Sequence, residues 1–138
     1  MSLVRFSVSL DKRVLDEFDR LIKEKGYPTR SKAITDLIRE KLMREEIKVE
    51  DKDIVGVITL VYDHHKRELV NRLVDIQHDF NELIIASQHV HLDHDNCFEV
   101  ILVKGNLRKI SELANRLKAT KGVKHGSLHV EAVCGHIL

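Results

Sequence analysis

The sequence predicts an α+β chain of two unlike modules, a strand-helix-helix unit followed by a β-α-β-β-α-β domain. Two patterns carry that expectation. Apolar residues recur at every second position in some segments and at every third or fourth in others, and the order of those segments spells out the two units. All nine histidines lie at or beyond His64, so the first 63 residues are chemically distinct from the rest. The 138 residues suit one ordinary domain or two small ones, and 43% apolar content suffices for a packed core. With a net charge of +1, any contact with nucleic acid must come from a local patch. No apolar run approaches bilayer length and the N-terminus carries no signal-peptide core, which leads us to expect a cytoplasmic chain with no membrane partner. Cys97 and Cys134 form no disulfide-scaffold pattern.

Residues 3 to 10 alternate, with Val4, Phe6, Val8 and Leu10 apolar and Arg5, Ser7 and Ser9 polar, as in a half-buried strand. Asp11 can cap a helix whose Val14, Leu15, Phe18, Leu21 and Ile22 share one face and which ends at Gly26. Tyr27-Pro28 makes the turn. A second helix starts near Thr29 or Ser31, either of which can cap it, and carries Ala33, Ile34, Leu37, Ile38 and Leu42. Such a unit is too small to bury a stable core alone, and its single strand has nothing to pair with. Two copies solve both problems: antiparallel pairing of residues 3 to 10 sets Phe6 and Val8 against the helices and leaves Arg5, Ser7 and Ser9 on the wet face. A two-stranded ribbon fits the major groove of double-stranded DNA, where Arg can bond guanine twice and hydroxyls can meet several base edges. The helix start at Thr29, Arg30 and Ser31 adds free N–H groups suited to a phosphate. In these features, with the Gly26-Tyr27 turn and the run Arg30-Ser31-Lys32-Ala33-Ile34, residues 2 to about 45 resemble the ribbon-helix-helix repressors, which implies an obligate dimer.

Domain boundaries are expected at 1–46 for this module, 47–53 for a charged linker and 54–138 for the second module. There, an apolar strand-like run at 54–62 precedes a helical pattern carrying Leu69, Val70, Leu73, Val74 and Ile76. Strands follow at 83–92 and 97–104, then a helix with Leu107, Ile110, Leu113, Ala114 and Leu117, and a last strand at about 123–133. The order is ferredoxin-like, with an antiparallel sheet and both helices on one face.

Ser87, His89 and His91 share one face of their strand, and Ala86, Val90 and Leu92 are expected to point the other way, into the helix-covered core. If His91 lies opposite Cys97, the thiol joins both imidazoles on the hairpin's exposed side, where none of them packs, and Glu99 follows on that face. The set is soft to borderline, suiting a late first-row divalent metal over Mg²⁺ or Ca²⁺, and leaves Ni²⁺, Cu²⁺, Zn²⁺ and Co²⁺ open. His78 is a candidate fourth ligand; its helix and the hairpin are expected on opposite sheet faces, so it would come from another subunit. Glu99 and Tyr62 are candidate supporting partners, and His64 and His65 a candidate accessory metal site. His94, His125, His129 and His136 have no clear companions, and Cys134 reads as structural.

His64, His78, His89, His91 and Cys97, spaced H-x13-H-x10-H-x-H-x5-C, resemble the nickel-responsive regulators, the NikR family. The resemblance spans nearly the whole chain. It implies a homotetramer, a dimer of dimers with ribbon-helix-helix pairs flanking a central ferredoxin-like core of ACT type. It also implies one Ni(II) per chain in a planar site built from His89, His91 and Cys97 of one subunit and His78 of another. The nickel-loaded protein would bind a palindromic operator and repress nickel uptake genes. One departure stands out: members commonly carry an acidic residue where this chain has Lys32, forming a cation site with the equivalent of Asp36, and Lys32 puts that site in doubt. Three other functions fit some of the residues: an enzyme with Cys97 as nucleophile, an amino-acid sensor, and a metal-storage protein. The first lacks an evident oxyanion site, the second does not need His89, His91 and Cys97 to cooperate, and the third leaves the N-terminal strand unexplained.

Overall fold

The structure, a computed structural model, describes residues 2–47 and 52–135, so most of the expected linker and His136 lie outside the described residues. It divides into two compact units, Met1–Leu42 and Met43–Leu138.

In the first unit, helix α1 (Lys12–Glu24) begins where the Asp11 carboxylate accepts the Arg13 N–H, and stops ahead of Gly26, whose φ of 76° favours a residue without Cβ. Helix α2 (Arg30–Ile47) is capped by Thr29, whose hydroxyl accepts the Lys32 N–H at 3.1 Å, which decides between the two candidate caps. Asp19 and Arg30 join the helices through two hydrogen bonds of 2.8 and 2.7 Å. Residues 2–10 carry no regular secondary structure, so the expected strand is not formed within the single chain. The physical reason is the missing ladder: Phe6 is 70% and Val8 67% exposed, and Leu21, Leu37, Ile38 and Leu42 are exposed as well.

The second unit has the expected element order: β1 (Asp53–Asp63), α3 (Arg67–Asp79), β2 (Ile84–His91), β3 (Asn96–Asn106), α4 (Leu107–Ala119) and β4 (Val123–Val133), with a short 3₁₀ turn at Asn81–Leu83. The sheet order is β2-β3-β1-β4 and every pairing is antiparallel. Alternate residues of β1 (Ile54, Ile58, Leu60 and Tyr62) are buried with Leu69, Leu73 and Ile76 of α3 and Ile110, Leu113 and Leu117 of α4 in one core, so both helices cover one face. Each such aliphatic side chain contributes about 1.5–3 kcal/mol of burial free energy. Gly56 is required by close approach: a Cβ there would lie 2.7 Å from the His129 carbonyl oxygen, beside an irregularity in the β1–β4 pairing.

Candidate metal centre

Hairpin β2–β3 brings His91 directly opposite Cys97 and His89 opposite Glu99, the register expected from the spacing. The face is the reverse of the expectation. Cys97 and Glu99 are 2% and 1% exposed, and Tyr62 and Leu60 stand beside them on β1, so His89 and His91 lie on the helix-covered face. Val90 and Leu92, expected in the core, are exposed instead. The expectation failed because alternation defines two faces of a strand without saying which is covered. β2 is an edge strand, and its residues from Ile85 to His91 are all exposed. Cys97 is part of the core, contrary to its expected non-packing role.

Inward from the histidines lies a polar network inside that core. The Tyr62 hydroxyl donates to Glu99 Oε1 at 2.7 Å, and Gln77 of α3 donates to Glu99 Oε2 at 2.9 Å. His89 Nδ1 lies 3.2 Å from the Tyr62 oxygen and 3.7 Å from Cys97 Sγ, and its Nε2 is 3.6 Å from Glu99 Oε2. Burial first, and then the hydrogen bond to Glu99, push the Tyr62 phenol well above its ordinary range, so it stays a donor at neutral pH. The buried carboxyl thus has both oxygens satisfied, as a polar group in a core requires. Because Gln77 reaches Glu99, α3 and the hairpin share a face, and the expected reason for taking His78 from another subunit, opposite faces, does not hold.

The other candidates divide. His91 stacks on His64, with ring centroids 4.5 Å apart, and does not close with His89 and Cys97 into a tight three-donor cluster. His64 also tilts over His65 at 4.1 Å; its Nδ1 is buried without a hydrogen-bond partner, and desolvation, then the neighbouring imidazoles, lower its pKa. His78 is exposed in the last turn of α3. Among the described residues, one group of three or more His, Cys, Asp or Glu side chains brings ligand atoms within 4.8 Å of one another: His65, His94 and Asp95. His94 therefore has companions, contrary to expectation, and so does His129, whose Nε2 lies 3.0 Å from Glu131. Gln77, Asp95 and His94 are the residues that sequence reasoning missed. Only a helix-periodicity count aligning Gln77 with Leu73 would have pointed to the first.

Donor chemistry on the hairpin fits a late first-row metal: a thiol beside an imidazole, a second imidazole in register with the thiol, and a satisfied carboxyl behind them. In the first unit, Arg5, Ser7 and Ser9 are exposed. Thr29 is engaged as a cap and Arg30 in the bonds to Asp19, whose carboxyl is held below its ordinary range by that guanidinium, while Ser31 is exposed. Lys32 Nζ donates to Asp36 at 2.7 Å, placing an ammonium at the carboxylate in question.

Residues 55–130 match the family model described as the NikR C terminal nickel binding domain, and residues 4–45 match the ribbon-helix-helix protein, copG family. A relative from Syntrophus aciditrophicus, provisionally named a nickel-responsive regulator, is 55% identical over 95% of each chain. The chain belongs to the nickel-responsive regulator family. Another provisionally named nickel-responsive regulator, from Thermococcus kodakarensis, is 48% identical over 93% of each chain. A third regulator of that name, from Nitratidesulfovibrio vulgaris, is 55% identical over 91% of this chain and 90% of its own. All three are named as regulators, not enzymes, which removes the reading of Cys97 as a catalytic nucleophile. An uncharacterized protein from Thermotoga maritima shares the fold with a TM-score of 0.53 at 15% identity, covering 57% of this chain and 98% of its own. No helix among the described residues of this nickel-responsive regulator family member is long and apolar enough to cross a membrane.

Proposed function

We propose that the chain is a cytoplasmic repressor of nickel uptake genes that works as a homotetramer, a dimer of dimers, with one Ni(II) per chain. His89, His91 and Cys97 hold the ion together with His78 of the partner subunit. The observation that carries this reading is the meeting of His89 Nδ1 and Cys97 Sγ at 3.7 Å with His91 in register beside them. Bound nickel supplies a cross-link between one subunit's hairpin and another's α3. The chain's own residues prepare for it: Glu99, held by Tyr62 and Gln77, fixes the hairpin against α3 and stands behind His89.

At the other end, paired strands of residues 3 to 10 present Arg5, Ser7 and Ser9 to the major groove of a palindromic operator, while the N–H groups at Thr29, Arg30 and Ser31 meet a phosphate. The Lys32 ammonium takes the place of a separate cation at Asp36. Metal binding across subunits favours one arrangement of the two DNA-binding dimers, and that population shift is the signal. The test is an optical titration of the full chain with nickel. A thiolate charge-transfer band that saturates near one metal per chain and is lost in Cys97→Ala and His78→Ala supports the ligand set, and nickel-dependent operator binding retained by Cys97→Ala overturns it.

A further inference from the structure

Separate from the hairpin donors, two loops of the second unit meet at their tips. His65 follows β1, and His94 and Asp95 sit in the β2–β3 turn. Their candidate ligand atoms all lie within 4.8 Å of one another and all three residues are exposed. The loops are already held in place: the His64 N–H donates to the Asp95 carbonyl at 3.3 Å, and His65 Nε2 lies 2.8 Å from the His94 carbonyl oxygen. That carbonyl can only accept, so Nε2 carries a proton, and in the neutral ring the lone pair is on Nδ1. His94 Nδ1 faces Asp95 Oδ1 at 3.2 Å, so imidazole and carboxylate are already adjacent. Asp63, which accepts the His65 N–H at 2.9 Å, and Asp93 add negative charge nearby. Against them stand Lys66 and Lys124, the latter donating to Asn96 at the start of β3; the Asp63 carboxyl is held below its ordinary range first by the His65 N–H, and that of Asp93 first by its hydrogen bonds from Asn96. The local balance favours a cation.

We propose that His65, His94 and Asp95 form a second, surface site for a borderline divalent metal such as Ni²⁺, Co²⁺ or Zn²⁺. Two imidazoles and one carboxylate suit that class better than Mg²⁺ or Ca²⁺, which take oxygen ligands. Full exposure and the absence of a thiol make the site weaker and faster-exchanging than the hairpin set. His64 does not belong to it: its ring stacks on His91 and its nitrogens are not among the clustered ligand atoms. A metal here staples the β1–α3 connection to the turn that joins His91 to Cys97, and so orders the hairpin that carries the principal donors.

The experiment is equilibrium dialysis of the full-length protein against nickel chloride, with metal counted per chain and the thiolate band recorded in the same samples. Wild type is expected to take up a second, weaker equivalent after the band has saturated. The His65→Ala/His94→Ala variant, altered at exposed positions only, loses that equivalent and keeps the band, and Asp95→Asn weakens it several-fold. Unchanged metal uptake in the double variant overturns the proposal, as does a wild type that stops at the equivalent reported by the band. If the band never forms yet the double variant still loses an equivalent, the surface site stands and the hairpin reading falls.

Discussion

Tyr62 donates its only hydroxyl hydrogen to a carboxyl that is 1% exposed. Tyr62→Phe leaves Glu99 Oε1 without that donor in a dry environment, and an unsatisfied buried group of this kind costs about 1–3 kcal/mol. Chemical denaturation of the metal-free protein at fixed concentration is expected to show that loss, and an unchanged midpoint would show that another donor replaces the phenol. A pH signature follows from linkage. The folded pKa is raised above the ordinary value of 10.0, so the native state holds its proton where the unfolded chain has released it. The contribution is complete below about pH 10 and is lost as pH rises beyond it. Wild type therefore loses more stability than Tyr62→Phe on alkaline titration, measured as the difference between their unfolding midpoints.

Among the elements, β1 is a central strand that pairs with both β3 and β4 and shares its core with both helices. At Gly56 the β4 backbone leaves no room for a Cβ, and a methyl group there must displace the His129 carbonyl or the strand itself. Overpacking of this sort costs about 1–3 kcal/mol, so Gly56→Ala is expected to lower the unfolding midpoint of the second unit. Backbone is the obstacle here, whereas an added Cβ at Gly126 would meet side chains, Lys118 Cγ at 2.6 Å and the buried Leu60 at 3.2 Å. A Gly126→Ala variant less destabilised than Gly56→Ala is the expected contrast in circular-dichroism melts.

For the whole molecule, the question is what covers the apolar side of residues 2–10. Phe6 at 70% exposure is a large apolar side chain that a second copy would bury. Phe6→Glu places a charge in that contact and is expected to abolish operator binding in mobility-shift assays while leaving the nickel-induced thiolate band in place. Loss of both would mean that the DNA-binding and metal-binding units are not separable.

Much of this was legible from the residues alone. Periodicity set the element order, since burial alternates every second residue in a strand and every third or fourth in a helix. The spacing between His91 and Cys97 allowed their pairing, because a short hairpin connection permits few registers, and the structure has that register. Which face of β2 the helices cover, by contrast, was decided by tertiary structure. His89 and Val90 point to opposite sides of an edge strand, and only the packing of α3 and α4 on β1 and β3 distinguishes those sides. The same holds for Gln77 meeting Glu99 and for His65 meeting His94 and Asp95: residues 22 and 29 positions apart are brought together by chain crossings that local pattern does not encode.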